Sequence, residues 1–366
     1  MDNVVKFFLF LLLVLQLGTS ESFAGDPGFA IYRSHGYLWA HRKTMLPMEA
    51  PTRGLDLNVY FMTQQGKQNW TRQYRSPRLG ICFTYLNLGN PEISGEAFGI
   101  LPYAEFKIID RPRQEFNVRV SSGLGYLTRI WDLETNLLNK AVGSHLNANM
   151  RLHLAYHWMI HPKIELSAVF GITHFSNANY KMPNLGLNSV EAGIGLGYHL
   201  HGKPKDSKAY VPDTATMKGR HEIRFSGASK VTGLVYSRRI YVSELSYRYS
   251  FWGGPKLRLH GGVDFFHDRG FLYRDNPANV TERPGIKNSF ETGFVLGNEF
   301  LLGSLHILTE GGMYAYSPGW SKGMLYQRLG FKYEIGRNWA ASITLKTHFA
   351  RADYIEWGIS YTILQQ

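Results

Sequence analysis

Apolar and polar residues alternate with a period of two through most of this chain, the pattern of a strand with one apolar face. Between Arg151 and Ile160, Leu152, Leu154, Tyr156, Trp158 and Ile160 share one face. Arg151, His153, Ala155, His157 and Met159 share the other. From Glu115 to Leu127 the apolar row is Phe116, Val118, Val120, Leu124 and Tyr126, opposite Asn117, Arg119, Ser121 and two glycines. Tyr241, Leu245, Tyr247, Tyr249 and Phe251 oppose Glu244, Ser246 and Arg248, while Leu257, Leu259, Val263 and Phe265 oppose Lys256, Arg258, His260 and Asp264. A soluble sheet alternates too. These strands, however, reach the roughly 9–11 residues that a membrane crossing needs, and their polar rows carry full charges, which a barrel lumen tolerates. The pattern predicts an all-β chain of the outer-membrane, antiparallel β-barrel type.

The same reading predicts about sixteen strands in two sets of eight. The first set covers 28–41, 54–63, 78–88, 96–109, 114–130, 144–160, 162–176 and 188–200. The second covers 219–228, 237–251, 255–268, 288–301, 303–316, 321–335, 338–350 and 354–365. The halves end alike, with His174-Phe175-Ser176 then Gly195-Leu196-Gly197-Tyr198, and His348-Phe349-Ala350 then Gly358-Ile359-Ser360-Tyr361. The two short matches suggest an old duplication. Between the halves runs a polar stretch with Pro204, Pro212 and several lysines, longer than a periplasmic turn. This favours two eight-stranded barrels in tandem over one of sixteen strands, with a first domain over 25–201, a linker over 202–218 and a second domain over 219–366.

The N-terminus is of another kind. Phe7 to Leu17 is apolar but for Gln16, follows Lys6 and precedes Ser22-Phe23-Ala24. It reads as a signal peptide over 1–24, cleaved after Ala24, and the run is short for a spanning helix. No later stretch approaches eighteen apolar residues, so no transmembrane helix is expected. Composition agrees with an exported barrel: 22 Tyr, 22 Phe and 38 Gly, with 19% charged residues. Cys82 is the only cysteine, so no intrachain disulfide can form. The formal charge of +12 calls for an anionic partner. For an exported protein, lipopolysaccharide phosphates fit and nucleic acid does not. Nothing in the sequence speaks to oligomeric state.

Strand parity isolates one set of reactive side chains. The apolar row Ile164, Leu166, Ala168, Phe170 and Ile172 continues by twos to His174 and Ser176, where the strand should leave the membrane. On the return strand, Val190, Ala192, Ile194, Leu196, Tyr198 and Leu200 extend back to Asn188. His174, Ser176 and Asn188 should therefore share one outward face near a membrane interface. An imidazole beside a hydroxyl can act as general base for nucleophilic attack, and a third polar group can fix the ring's tautomer. A lipid-facing site implies a lipid substrate. Glu191 falls on the opposite row with Ser189 and Gly193, pointing into the lumen. His145, Asn147, Asn149, Arg151 and His153 are expected to line an inward face as a hydrogen-bond network rather than a metal site.

The run His174-Phe175-Ser176-Asn177, followed by Pro183-Asn184 and Gly186, resembles the signature of the lipid A 3-O-deacylase (PagL) family. More particularly it resembles the longer acyloxyacyl-hydrolase-type members of Bacteroidetes-like bacteria. The resemblance spans roughly 28–201 and includes Gly143-Ser144-His145-Leu146-Asn147. It implies an outer-membrane barrel that hydrolyses the 3-O ester of lipid A without a cofactor or metal. By motif position, Ser176 is the nucleophile and His174 the base. Asn177 contributes to the oxyanion hole, as would the position of Asn179, and Pro183, Asn184 and Gly186 order the loop. Two positions depart from the family pattern: Asn188 stands where Glu is usual, and Asn179 where a glycine is expected. A neutral Asn can still orient a His. In the second half His348 falls on the inward row and Ala350 replaces the serine, so that half is expected to be non-catalytic. A non-enzymatic barrel, acting as a pore, a lipopolysaccharide-binding protein or a scaffold, is the competing function.

Overall fold

The computed structural model describes residues 26–63, 69–201, 219–231, 238–270, 289–318, 323–349 and 351–365. The expected signal segment 1–24, the linker 202–218 and Ala350 lie outside the described residues. The first barrel is built from β1 (Asp26–Leu38), β2 (Ala50–Met62), β3 (Arg78–Asn87), β4 (Glu96–Arg111), β5 (Gln114–Leu127), β6 (Leu146–His161), β7 (Ile164–Ser176) and β8 (Leu187–His199). The second is built from β9 (Arg220–Val231), β10 (Arg239–Gly253), β11 (Leu257–Asp268), β12 (Phe290–Leu302), β13 (Leu305–Tyr316), β14 (Leu325–Ile335), β15 (Trp339–His348) and β16 (Arg351–Gln365). Each set pairs antiparallel with its sequence neighbours and closes on itself, β1 on β8 and β9 on β16. Two eight-stranded barrels form, not one of sixteen strands.

Closure turns the alternating rows into an inside and an outside. On β6, Leu152, Leu154, Tyr156, Trp158 and Ile160 are exposed, while Arg151, His153, Ala155, His157 and Met159 are buried. An exterior of this kind is an apolar belt too large for water and suited to hydrocarbon. His145 departs from the expected inward row. It lies just before β6 begins, is exposed, stacks on the outward-facing Tyr126 and has Nδ1 2.7 Å from the Leu127 carbonyl. The main chain there has not yet entered the strand, so strand parity does not govern it.

An interior of eight strands is just wide enough for side chains to fill. In the first barrel Arg78 grips Glu165 through both guanidinium ends, at 3.0 and 2.8 Å. His157 bridges Glu165 and Glu105 at 2.7 Å each, and Arg119 reaches Glu105 at 2.6 Å. Nearer the site, Arg151 meets Asp56 at 2.8 Å. The second barrel centres on Arg328, which contacts Glu244, Asp264, Glu310 and Glu356 at 2.6 to 3.0 Å. All these charges are buried and answered by opposite charge, the arrangement that makes a buried ion tolerable. Among the described residues these ion pairs run across both lumens.

The two ends of the first barrel differ. Tight turns at 112–113 and 162–163 join β4 to β5 and β6 to β7. That end also carries the connection 63–77 between β2 and β3, while the other end carries 39–49, 88–95, 128–145 and 177–186. Beneath these loops lies an apolar cluster that includes Leu38, Met45, Met48, Leu88, Val142, Phe175 and Leu187. It caps the lumen with hydrocarbon and gives the end of β7 a firm floor.

Removing one member of the lumen network should be severe, because it strands a buried opposite charge. Glu165→Ala is expected to destabilise the first barrel by about 3–5 kcal/mol, read from urea unfolding in lipid vesicles. Planar bilayers holding the intact protein should show no stepwise conductance.

Candidate functional site

β7 delivers the site to the rim. Its outward row runs through Leu166, Phe170 and Ile172, all exposed to the hydrocarbon side, and continues to His174 and Ser176. Residues two apart in a strand share a face and lie about 6.6 Å apart along it. Between them Phe175 points inward, buried in the apolar cap. Its ring occupies the space a side chain on Gly125 would need, with Cε1 2.5 Å from the place of that Cβ. One row on, Thr173 hydrogen-bonds the buried Glu191, which also meets His153 at 3.2 Å and Ser34 at 3.4 Å. Glu191 is thus committed to the lumen, as its parity requires, and cannot serve His174.

His174 pairs with Asn188 in the β7–β8 ladder. Its Nδ1 lies 2.7 Å from Asn188 Oδ1. An amide oxygen only accepts, so His174 carries its hydrogen on Nδ1 and presents Nε2 as the free base. The other end of the same amide, Asn188 Nδ2, lies 2.9 Å from His41 Nδ1. Being a donor, it requires His41 Nδ1 to be bare. Burial, and next the neighbouring Arg42, push the His41 pKa down, which favours the neutral ring.

The loop 177–186 is tied at each residue singled out by motif. The Asn177 N–H donates to Asn184 Oδ1 at 2.8 Å, and Asn177 Nδ2 donates to Ser144 Oγ at 2.7 Å. Asn184 bridges to Val142, and the Gly186 N–H donates to the Ala141 carbonyl at 2.9 Å, so the 128–145 loop holds both. Pro183 is buried beside them. Gly186 has a physical reason to be glycine twice over. Its φ is +80°, and a Cβ there would stand 2.6 Å from His174 Cε1. Ser176 is 5% exposed at the last position of β7, opposite Ala148.

Asn179 takes the left-handed conformation expected of the glycine it replaces, with φ +59°, after Ala178 at +50°. Asn is among the residues that tolerate it best. Ala178–Met182 belong to the compact unit of the second barrel. Within that unit Asn179 Nδ2 donates to the carbonyls of Ala352 and Asp353 at 2.6 and 3.2 Å. The counterpart His348, at the end of β15, is buried and has Nε2 3.0 Å from the Tyr314 hydroxyl, so it faces inward as its row demands.

The structure therefore brings together His174, Asn188 and His41 on one side, and Asn177, Asn184 and Ser144 on the other. His41 carries no motif; the sequence reading puts it at the end of a strand over 28–41, whereas β1 ends at Leu38 and His41 lies beyond it. It reaches Asn188 because the β1–β8 ladder runs on past the strand, with the Trp39 N–H donating to the Asn188 carbonyl at 2.8 Å.

Residues 56–199 match the family profile described as lipid A 3-O-deacylase (PagL), and residues 219–366 match that described as acyloxyacyl hydrolase, C-terminal domain. No curated relative matches the chain. Among solved structures, the outer membrane enzyme PagL aligns with 15% identity and a TM-score of 0.34, covering 45% of this chain and 97% of its own. Neisserial surface protein A aligns with 11% identity and a TM-score of 0.31, covering 47% and 96%. The Pseudomonas putida toluene transporter TodX aligns with 8% identity and a TM-score of 0.19, covering 93% and 89%. With the two family domains in succession along it, the chain belongs to the PagL family of lipid A deacylases.

Proposed function

We propose that this chain sits in the bacterial outer membrane and hydrolyses an acyl ester of lipid A, at the 3-O position, with Ser176 as nucleophile and His174 as general base. The observation that carries the reading is the hydrogen bond from His174 Nδ1 to Asn188 Oδ1 at 2.7 Å, on the row that faces hydrocarbon. It fixes the tautomer that general-base chemistry needs, where the acyl chains of a lipid would lie. Four connections of eight residues or more on the same end, against two two-residue turns and the connection 63–77 on the other, support a site at the outer leaflet, since barrels of this class put their shorter turns on the periplasmic side.

His174 Nε2 takes the proton of Ser176 Oγ as the oxygen attacks the ester carbonyl. Collapse of the tetrahedral intermediate breaks the bond to the sugar oxygen, which leaves with the proton held by His174. Water, deprotonated by His174 in turn, then attacks the acyl-enzyme and releases the free acid and Ser176. The Asn177 main-chain N–H is taken by Asn184 Oδ1, so its Nδ2 group, one of whose two hydrogens goes to Ser144 Oγ, is the candidate for stabilising the oxyanion. The steps use no metal or cofactor. The basic surface of a chain with net charge +12 suits the phosphates of lipopolysaccharide.

Ser176→Ala is expected to abolish release of 3-hydroxy fatty acid while the barrel keeps its heat-modifiable mobility on gels. Mass spectrometry of lipid A from cells with and without the protein reads both the activity and the ester cleaved. Unchanged lipid A would end the assignment. Gly186→Ala should cost at least about tenfold in kcat, because the new methyl group displaces the imidazole and the backbone is strained. Asn188→Asp keeps the acceptor and adds a charge. A charged hydrogen bond gains about 1 kcal/mol over a neutral one, so kcat should rise by about fivefold, measured on purified lipid A.

A further inference from the structure

An asparagine at the third position of the site creates a problem that a carboxylate does not have. Both oxygens of a carboxylate accept, so either can take the His174 hydrogen. The ends of an amide are nearly isosteric but opposite in role. Turned by half a rotation, Asn188 would aim Nδ2 at His174 Nδ1. The imidazole would then have to move its hydrogen to Nε2, the nitrogen that must receive the Ser176 proton. Something outside the pair has to choose between the two orientations.

We propose that His41 makes this choice: it is a positioning residue that locks the Asn188 amide so that His174 keeps its hydrogen on Nδ1. The inference rests on the catalytic reading of His174 and Ser176 given above. Its ground is a pair of hydrogen bonds, one at each end of the Asn188 amide. Nδ2 lies 2.9 Å from His41 Nδ1, and because an amide nitrogen only donates, the ring accepts there and carries its own hydrogen on Nε2. Oδ1 is thereby turned to His174 Nδ1 at 2.7 Å. Reversing the amide would oppose two acceptors at His41.

The barrel holds this pair of bonds in place. Asn188 is in register with His174 on β7. On its other side the Trp39 N–H reaches the Asn188 carbonyl, and the Ala40 N–H donates to Glu49 Oε1 at 3.1 Å, which steadies the segment leading to His41.

The test is a double-mutant cycle on the full-length protein in vesicles containing lipid A. His41→Ala is expected to lower kcat by about 100-fold with little change in KM, since losing the correct tautomer removes the general base. In the Asn188→Asp background, where no orientation has to be chosen, the same substitution should cost no more than about threefold. An equal loss in both backgrounds would mean that His41 only supports the loop, and would overturn the proposal. Activity of the double variant also reports that the protein without His41 folds. A second readout is independent of turnover: the 15N shifts of the His174 ring in detergent micelles. They should report hydrogen on Nδ1 in the natural protein and a shift towards Nε2 in His41→Ala. An unchanged tautomer would sink the idea even if activity fell. A shifted tautomer in a protein that releases no fatty acid would leave the positioning intact and remove the hydrolase reading.

Discussion

In hydrocarbon a main-chain N–H or C=O has no water to bond, so a sheet that spans a membrane must pair its first strand with its last. In this protein that requirement is met twice, by β1 with β8 and by β9 with β16. Everything else hangs on it. Closure gives each alternating row a fixed side, apolar residues outward and charged residues inward. It also sets β1 beside β8, the one neighbour relation in the first barrel that chain order does not supply. Along that seam His41 comes to Asn188.

Once the rows are fixed, the interior must be made electrically tolerable. The first barrel does so with Arg78, Arg119 and His157 around Glu105 and Glu165, and the second with Arg328 among four carboxylates. Such networks stabilise less than their contacts suggest, because desolvation offsets much of the attraction, but breaking one is costly. Their consequence for function is rigidity. The inner row of β7 is pinned by Glu191 at Thr173 and by the apolar cap at Phe175. The outer row, interleaved with it, is held as firmly. His174 can face hydrocarbon at the rim because its two chain neighbours are buried anchors. His348 lies at the end of the corresponding strand of the second barrel, but one pleat out of phase, and its ring is taken up by Tyr314 in the interior. A half-turn of the pleat separates a site from a piece of core.

The proposed site has a neutral group, Asn188, where the resemblance to the family leads one to expect an acid. A carboxylate would orient the imidazole and stabilise its charged form together. Asn188 does the first of these and carries no charge for the second. The surrounding loops are correspondingly well tied: Asn184 and Gly186 to the 128–145 loop, and Asn177 to Ser144 and Asn184. Gly186 passes so close to the imidazole that no side chain fits between them.

The sequence determined by itself whatever depends on a period of two. All sixteen strands, the outward row of β7 ending at His174 and Ser176, its partner Asn188, the inward Glu191 and the inward His348 follow from counting residues along strands, because a pleated chain turns successive side chains to opposite sides. The break between two sets of eight strands was legible in the polar stretch between them, and the loop residues Pro183, Asn184 and Gly186 in their motif. Three things were decided only in the tertiary structure. His145 left its expected row because parity holds only inside a strand, and it stands just outside β6. Asn179 adopts a left-handed backbone of the kind that favours glycine, which its side chain alone could not announce. His41 carries no motif, and β1 ends three residues before it, short of the strand the alternation predicts. Its role arises where the ends of a sheet meet, and a contact made by ring closure joins residues 147 apart that no local rule relates.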